Sequence, residues 1–281
     1  MTSLSACELL QATFADPGGR LIEDENEGFL LCDPLTPECM NKALADVLFA
    51  LPTGRGMSYL PNPSQRFCLD LRDGTDAKDG AACGGHINWF RSRKMRRHLS
   101  DFRVVVKTKD FRPELEHCKE YHLARAGGTW LTNALMDMIC AAADAAGAGA
   151  GGVQHYCFSL HDRATGTLLA CTFGFASGRV FEDYTMCTLH RDSRSVGAVL
   201  SKLVGFLLQA SRFDLWYWGY KVAYMEDYRS HYGATELDRK SFYEIWEKGR
   251  SHGPRQLVCL GEAAGRLPRD VDPALLVVGV A

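Results

Sequence analysis

Apolar positions recur at helical spacing through Met40, Ala43, Leu44 and Val47, behind a start signal of Pro34, Thr36 and Pro37, and they predict a helix there. Glycine and proline break the pattern over residues 52–63, and residues 73–85 read as a soft loop of Gly, Asp and Ala. A second helical pattern covers residues 131–146. Three runs with strand character follow at 153–160, 167–176 and 180–189, joined by connections short enough for an antiparallel meander. Val199, Leu200, Leu203, Val204, Phe206 and Leu207 then mark one face of a helix over 195–210, and a further strand is expected over 213–220. Between the second helix and the meander, Gly147, Gly149 and Gly152 have GxGxxG spacing. They lie after a helix and before a strand, the reverse of the order a phosphate-cradling loop requires.

A hydrophobic content of 46% with 23% charged residues is that of a folding globular chain of 281 residues. No apolar run approaches the roughly 20 residues a membrane helix needs, so no membrane partner is expected. Glu8 and the lack of a basic segment before an apolar core argue against a secretory signal, which makes the expected location cytoplasmic. The 11 cysteines are scattered without a CxxC pair and read as reduced thiols. Cys118 and His122 could share a helix face, but no second pair accompanies them, so no metal is expected. The net charge of −2 conceals a basic run in which Arg91, Arg93, Lys94, Arg96, Arg97, Arg103 and Lys107 face only Asp101. Such a run suits phosphate contacts or a solvated face.

Several segments resemble the leucyl/phenylalanyl-tRNA-protein transferases. Gly128-Thr129-Trp130-Leu131-Thr132 is similar to that family's GTWIT segment, Leu35-Thr36-Pro37 to its DLSP helix start, and Tyr59-Leu60-Pro61-Asn62-Pro63 to its WSPDPR loop. Residues 90–99 resemble its basic SRSMKR helix, and 178–186 its strand ending in GESMF. Ser195 stands where the family opens a helix with ASK, and Gly233-Ala234 with 239–246 resemble its closing SLGA and PR-x-x-[YF] helix. Antiparallel strands, a helix and another strand are also the core order of the GNAT-type acyltransferase fold. The resemblance implies an α+β protein with a polar lead-in (1–27), a small N-terminal lobe carrying the basic helix (28–110), a GNAT-like transferase domain with a mostly antiparallel sheet (111–250) and a C-terminal tail (251–281). It implies transfer of Leu or Phe from aminoacyl-tRNA to the N-terminal amine of a substrate protein, which marks that protein for degradation.

Because the donor ester is already activated, no cofactor, metal or covalent nucleophile is called for; the enzyme must orient the amine, remove its proton and stabilise an oxyanion. On the resemblance, Trp130 and Phe181 would wall the aminoacyl-adenosine pocket, with Tyr184, Thr185, Met186, Ser195, Trp216 and Tyr217 as further substrate contacts. Arg91, Arg93, Lys94, Arg96 and Arg97, with Arg191 and Arg194, would hold the tRNA. The chain departs from the family at the chemistry. Tyr184 occupies the position of the glutamate in GESMF, and the Asp and Gln of the family's IDCQ strand fall on Leu215, Trp216 and Tyr217. Strand alternation puts Glu182 on the face of Tyr184 and points Asp183 the other way, so Glu182 becomes the candidate carboxylate, with Asp214 as a second. The lysine after Ser195 has become Val196.

Two other readings stay open. A CoA-dependent N-acetyltransferase is suggested by Arg194-Ser195-Val196-Gly197, the first half of a pyrophosphate-cradling RxxGxG/A loop whose end Val199 spoils. The substituted positions also fit a non-catalytic protein that binds tRNA or N-terminal peptides.

Overall fold

The computed structural model describes residues 28–32, 35–52, 58–72, 87–146, 152–222, 225–253 and 257. The lead-in, the 73–85 loop, Gly147, Gly149 and nearly all of the tail lie outside the described residues. In chain order the elements are β1 (Gly28–Cys32), α1 (Pro37–Ala45), β2 (Leu51–Pro52), β3 (Ser58–Asn62), β4 (Gln65–Asp70), α2 (Arg93–His98), β5 (Phe102–Lys107), α3 (Arg112–Ala126), α4 (Asn133–Ala145), β6 (Val153–Asp162), β7 (Leu168–Ser177), β8 (Val180–Thr188), α5 (Val196–Ala210), β9 (Leu215–Tyr217), α6 (Glu226–Tyr232), β10 (Thr235–Asp238) and α7 (Arg239–Arg250).

Local chemistry sets the helix starts. The Thr36 hydroxyl accepts the Cys39 amide at 3.2 Å with Pro37 in the first turn, and Thr132 caps α4 through the Leu135 amide at 3.2 Å. The second cap begins α4 two residues later than the apolar pattern suggests.

A seven-stranded sheet in the order β10-β4-β9-β8-β7-β6-β5 organises the molecule, beside a three-stranded sheet β1-β3-β2. Every pairing in the larger sheet is antiparallel except β8 with β9, which α5 connects. The architecture is thus α+β with a mostly antiparallel sheet and the GNAT-like order of three strands, helix and strand. β4 and β5, both N-terminal to residue 110, are strands of this sheet rather than of a separate layer.

One face of the sheet packs Phe173, Phe175 and Tyr217 against α1, α3, α4 and the Phe242, Tyr243 and Trp246 side chains of α7. The other packs Phe158, Phe181 and Trp216 against α5 and Trp89. Close approach dictates glycine at several positions, Gly174 and Gly205 among them. A Cβ at Gly174 would sit 2.2 Å from the Glu182 carbonyl oxygen, and one at Gly205 would sit 2.3 Å from the Trp89 ring.

On the α1 face, His155 is fully buried and hydrogen-bonds through Nε2 to Asn41 Oδ1 at 2.8 Å, while Asn41 Nδ2 donates to the Ala142 carbonyl at 2.8 Å. That orientation of the amide makes Nε2 the protonated nitrogen. Nδ1 has no partner among the described residues, and burial pushes the imidazole down to about 4.

Two outcomes are expected. Gly205→Ala should lower stability by about 1–3 kcal/mol through overpacking, offset by up to about 1 kcal/mol of helix propensity, as read from the urea midpoint at pH 7. Because the folded-state pKa of His155 lies below the unfolded value of about 6.5, its stabilisation is complete above pH 6.5 and is lost as pH falls towards 4. His155→Gln keeps a donor for Asn41 and cannot titrate. The difference between wild-type and variant stability should therefore fall with acidification by up to about 1.4 kcal/mol per pH unit within that window. A difference that stays flat from pH 7 to 4 would show that His155 does not carry this linkage.

Candidate active site

The chemistry gathers where β8 and β9 part. Their pairing runs Val180 with Leu215, Phe181 with Trp216 and Glu182 with Tyr217, and ends there. Past Tyr217 the chain stays with β4, the Trp218 amide donating to the Phe67 carbonyl at 3.0 Å and the Phe67 amide to the Gly219 carbonyl at 2.9 Å. Meanwhile β8 continues beside β7 with a bulge. Gly174 faces Asp183 and Phe173 faces Thr185, which leaves Tyr184 as the extra residue. The two strands therefore separate, and a cavity of about 200 Å³ fills the gap.

Its walls are aromatic. Phe49 stacks on Tyr184 at 4.8 Å and meets Trp130 edge-on at 5.4 Å, with Trp218, Tyr220, Pro61 and Pro63 completing the lining. The residues with polar side-chain atoms in the lining are Glu182, Asp183, Tyr184, Tyr217, Tyr220, Trp130 and Trp218. No Cys, Ser, Thr or His lines the cavity among the described residues. An acyl group entering it meets no hydroxyl or thiol nucleophile of those types.

Glu182 is 5% exposed, and its Oε2 has no hydrogen-bond partner among the described residues. Burial pushes its carboxyl up to about 8; the Arg66 charge opposes the shift and Asp183 adds to it. Asp183 is pushed up to about 7 by burial, against the Thr172 hydroxyl, which donates to it at 2.7 Å. Arg66 is fully buried inside a box of rings, its guanidinium carbon 5.4, 4.8 and 5.1 Å from the ring centroids of Tyr217, Phe242 and Tyr243. It donates to Tyr217 Oη at 3.1 Å and to Asn62 Oδ1 at 2.6 Å. The phenol paired in register with Glu182 is thereby tied to a fixed positive charge. A carboxylate that exchanges its proton near neutrality, in an apolar space with an oxygen to spare, can receive an ammonium group or take a proton from it.

Of the residues singled out in the sequence, the fold brings Trp130, Glu182, Tyr184 and Tyr217 to the cavity. Thr185 is next to it, with its hydroxyl 3.5 Å from His122 Nε2. Phe181 and Trp216 lie in the core on the opposite face, Phe181 against Tyr156 and Phe158 and Trp216 against Trp218 at 4.5 Å, and Met186 packs on that side as well. Asp214 sits at the start of β9, ion-paired to Arg179 at 2.6 Å, three residues before the cavity on a strand rising about 3.3 Å per residue. Ser195 is exposed at the N-cap of α5 with φ of 59°. Asp183, which alternation turns away from Glu182, also lines the cavity, because a gap in a sheet is open to both faces. Phe49, Trp218, Tyr220 and Arg66 are not among the residues expected at the site, and Arg66 stands out in the sequence only as a lone cation in the apolar run of β4.

The expected tRNA contacts divide. Arg91, Arg93, Lys94 and Arg97 are exposed around α2, which Met95 anchors, whereas Arg96 donates to the carbonyls of Phe90 and Arg91. Lys107 is ion-paired to Glu114 at 2.5 Å. Arg194 is held by Asp162 at 2.8 Å and Asp192 at 2.7 Å, and Arg191 is exposed. The Arg194–Asp162 pair and the bond from the Arg163 amide to the Asp101 carbonyl, at 2.8 Å, place the α5 N-terminus and α2 at the end of the sheet towards which β8 opens. Among the described residues no group of three or more His, Cys, Asp or Glu could hold a metal ion, and no helix is long and apolar enough to cross a membrane.

The sequence matches no protein-family model and no curated protein. Similar solved structures include FemX, at 8% identity and a TM-score of 0.44 over 85% of this chain and 79% of that one. A tandem GNAT protein from the clavulanic acid biosynthesis pathway matches at 14% identity and a TM-score of 0.36 over 75% of this chain and 64% of that one. The C-terminal domain of a putative lysylphosphatidylglycerol synthetase from Agrobacterium fabrum matches at 12% identity and a TM-score of 0.39, over 88% of this chain and 65% of that one. The chain thus spans less than two thirds of the length of the last two. Likenesses at this level carry no inference about the reaction.

Proposed function

We propose that this chain is an aminoacyltransferase that moves Leu, Phe or a related amino acid from aminoacyl-tRNA to the N-terminal amine of a cytoplasmic protein, marking the acceptor for degradation. The observation that carries this reading is the unpartnered oxygen of buried Glu182 in an aromatic-walled cavity where β8 and β9 separate. The donor class comes from the resemblance of the Trp130 turn and the segments around it, and is consistent with exposed cations at the same end of the sheet.

In the proposed reaction the acceptor arrives as an ammonium. Ionised Glu182 takes one of its protons, and the freed nitrogen attacks the ester carbonyl. As the tetrahedral intermediate collapses, the bond from the carbonyl carbon to the ribose oxygen breaks, and the proton returns from Glu182 to that oxygen. The second proton that the nitrogen sheds on becoming an amide passes to solvent, and with it atoms and charge balance. The cavity contributes orientation and exclusion of water, and its aromatic walls suit an apolar aminoacyl side chain. Arg194, the cation that would open a CoA pyrophosphate loop, already satisfies two carboxylates, which weighs against the acetyltransferase reading.

Glu182→Gln should lower transfer from bulk charged tRNA to a panel of N-terminal peptides by about 10² or more while leaving tRNA affinity unchanged. In the wild type, transfer should rise with pH through about 8 as Glu182 ionises, and in the variant only the ionisation of the acceptor amine itself should remain in the profile. No added mass on any peptide with wild-type protein would reject the transferase reading. Wild-type rates in the variant would reject the role of Glu182.

A further inference from the structure

Beside the cavity, two arginines converge on one phenol. The Tyr121 hydroxyl oxygen accepts from Arg125 Nη1 at 2.6 Å and from Arg191 Nη2 at 3.0 Å, and the Arg125 guanidinium also lies over the Tyr121 ring, 5.9 Å from its centroid. Both guanidiniums are exposed, and neither has a carboxylate partner among the described residues. Nearby arginines differ: Arg194, three residues from Arg191 in the same loop, has two carboxylate partners, and Arg112 on the same helix as Arg125 pairs with Glu116 and Asp137. Two like charges held at a shared oxygen repel each other, and an anion bridging them relieves that repulsion.

The position is as informative as the charge. Tyr121 and Arg125 occupy the last turns of α3, and Arg191 follows the end of β8. His122, next to Tyr121, contacts Thr129 Oγ1 at 3.4 Å and Thr185 Oγ1 at 3.5 Å. These threonines directly adjoin Trp130 and Tyr184, which line the cavity. The clamp is therefore one layer of side chains from the cavity.

We propose that Tyr121, Arg125 and Arg191 form a phosphate clamp that holds a backbone phosphodiester of the donor RNA close to its aminoacylated 3′ end. This rests on the reading of the chain as an aminoacyl-tRNA-dependent transferase and adds to it a second point of attachment, separate from the basic run at α2. Arg125 supplies a cation that the linear pattern does not single out. The clamp reads phosphate rather than sequence, and it gives the terminal nucleotide a fixed starting point from which its acyl group reaches Glu182.

The test uses the full chain and three probes: an uncharged acceptor-stem minihelix with a single-stranded 3′ end, a 3′-aminoacylamino-adenosine without phosphate, and CoA. In Arg125→Glu/Arg191→Glu the minihelix should bind at least tenfold more weakly. The slope of log affinity against log salt should fall by about 0.7, the value for the one single-strand phosphate that the protein no longer neutralises. Affinity for the phosphate-free nucleoside should be unchanged. Tyr121→Phe, which removes only the gathering hydroxyl, should weaken minihelix binding with little change in slope. An unchanged slope in the double variant overturns the clamp, and so does parallel loss of nucleoside affinity, which would make these arginines supports of the cavity. Saturable CoA binding that the double variant abolishes would assign the anion to CoA and also overturn it. Wild-type protein that binds the minihelix through these arginines yet transfers nothing leaves the clamp standing and removes the transferase reading instead.

Discussion

The separation of β8 from β9 after Glu182 and Tyr217 is the constraint on which the rest depends. Parallel strands joined by a crossover helix normally continue side by side, because each buried amide that loses its partner must find another. Here both chains do. Residues 218 and 219 keep their hydrogen bonds with Phe67 on β4, and β8 keeps its ladder with β7 through a bulge that Gly174 accommodates. A gap thus opens inside a sheet covered on both faces. Its walls have to come from side chains, and the fold supplies large rings from the connection between α1 and β2, the Trp130 turn, β8, and β9 with the chain leaving it.

Within that gap the protein buries opposite charges without closing them into an ion pair among the described residues. Neither a lone carboxylate nor a lone guanidinium is stable in an apolar interior unless something compensates its lost hydration. Arg66 is compensated by Asn62, by the Tyr217 hydroxyl and by three ring faces, all on rigid elements. Glu182 is compensated less completely: burial dominates its proton affinity, and one oxygen has no partner among the described residues. The asymmetry leaves the fixed charge held by two hydrogen-bonded side chains and three rings, and the exchangeable one available to a ligand. Tyr217 stands between them, so a change at Arg66 would be felt at Glu182 through its neighbour in the sheet.

The meander, α1, α4 and α5 were legible because each has an unambiguous period of two or of 3.6 and an evident cap or turn. β4 and α3 were not. β4 owes its place to β9 and β10, strands far along the chain that no local pattern announces. α3 buries only Glu114, Leu115 and Cys118, too narrow a stripe for an amphipathic signal. At the site, alternation was enough to put Glu182 and Tyr184 on one face, but it turned Asp183 away from the cavity. The rule assumes a neighbouring strand on each side, and at a gap that neighbour is missing. Phe181 and Trp216 show the converse: position beside a motif says nothing about which face a strand residue occupies, and both fall on the face that packs against α5.

A reaction in which Glu182 takes a proton and no side chain takes the acyl group also constrains the order of events. On the proposed reading the acyl group has nowhere to rest between donor and acceptor, so both must be held at once and the nitrogen must approach the ester while RNA occupies the same end of the sheet. The side from which the acceptor can enter is then set by what the donor leaves open. With α3 and the β8–α5 loop presenting cations on one flank, the free approach is across Pro61, Pro63 and Tyr220, where the small sheet meets the chain leaving β9. That rim is apolar and is built from the least conformationally free of residues, prolines, which fix a surface without side-chain ordering cost. Discrimination among acceptors would accordingly arise less from this rim than from Glu182 and Asp183 inside, the groups that distinguish a charged amine from any other end of a chain.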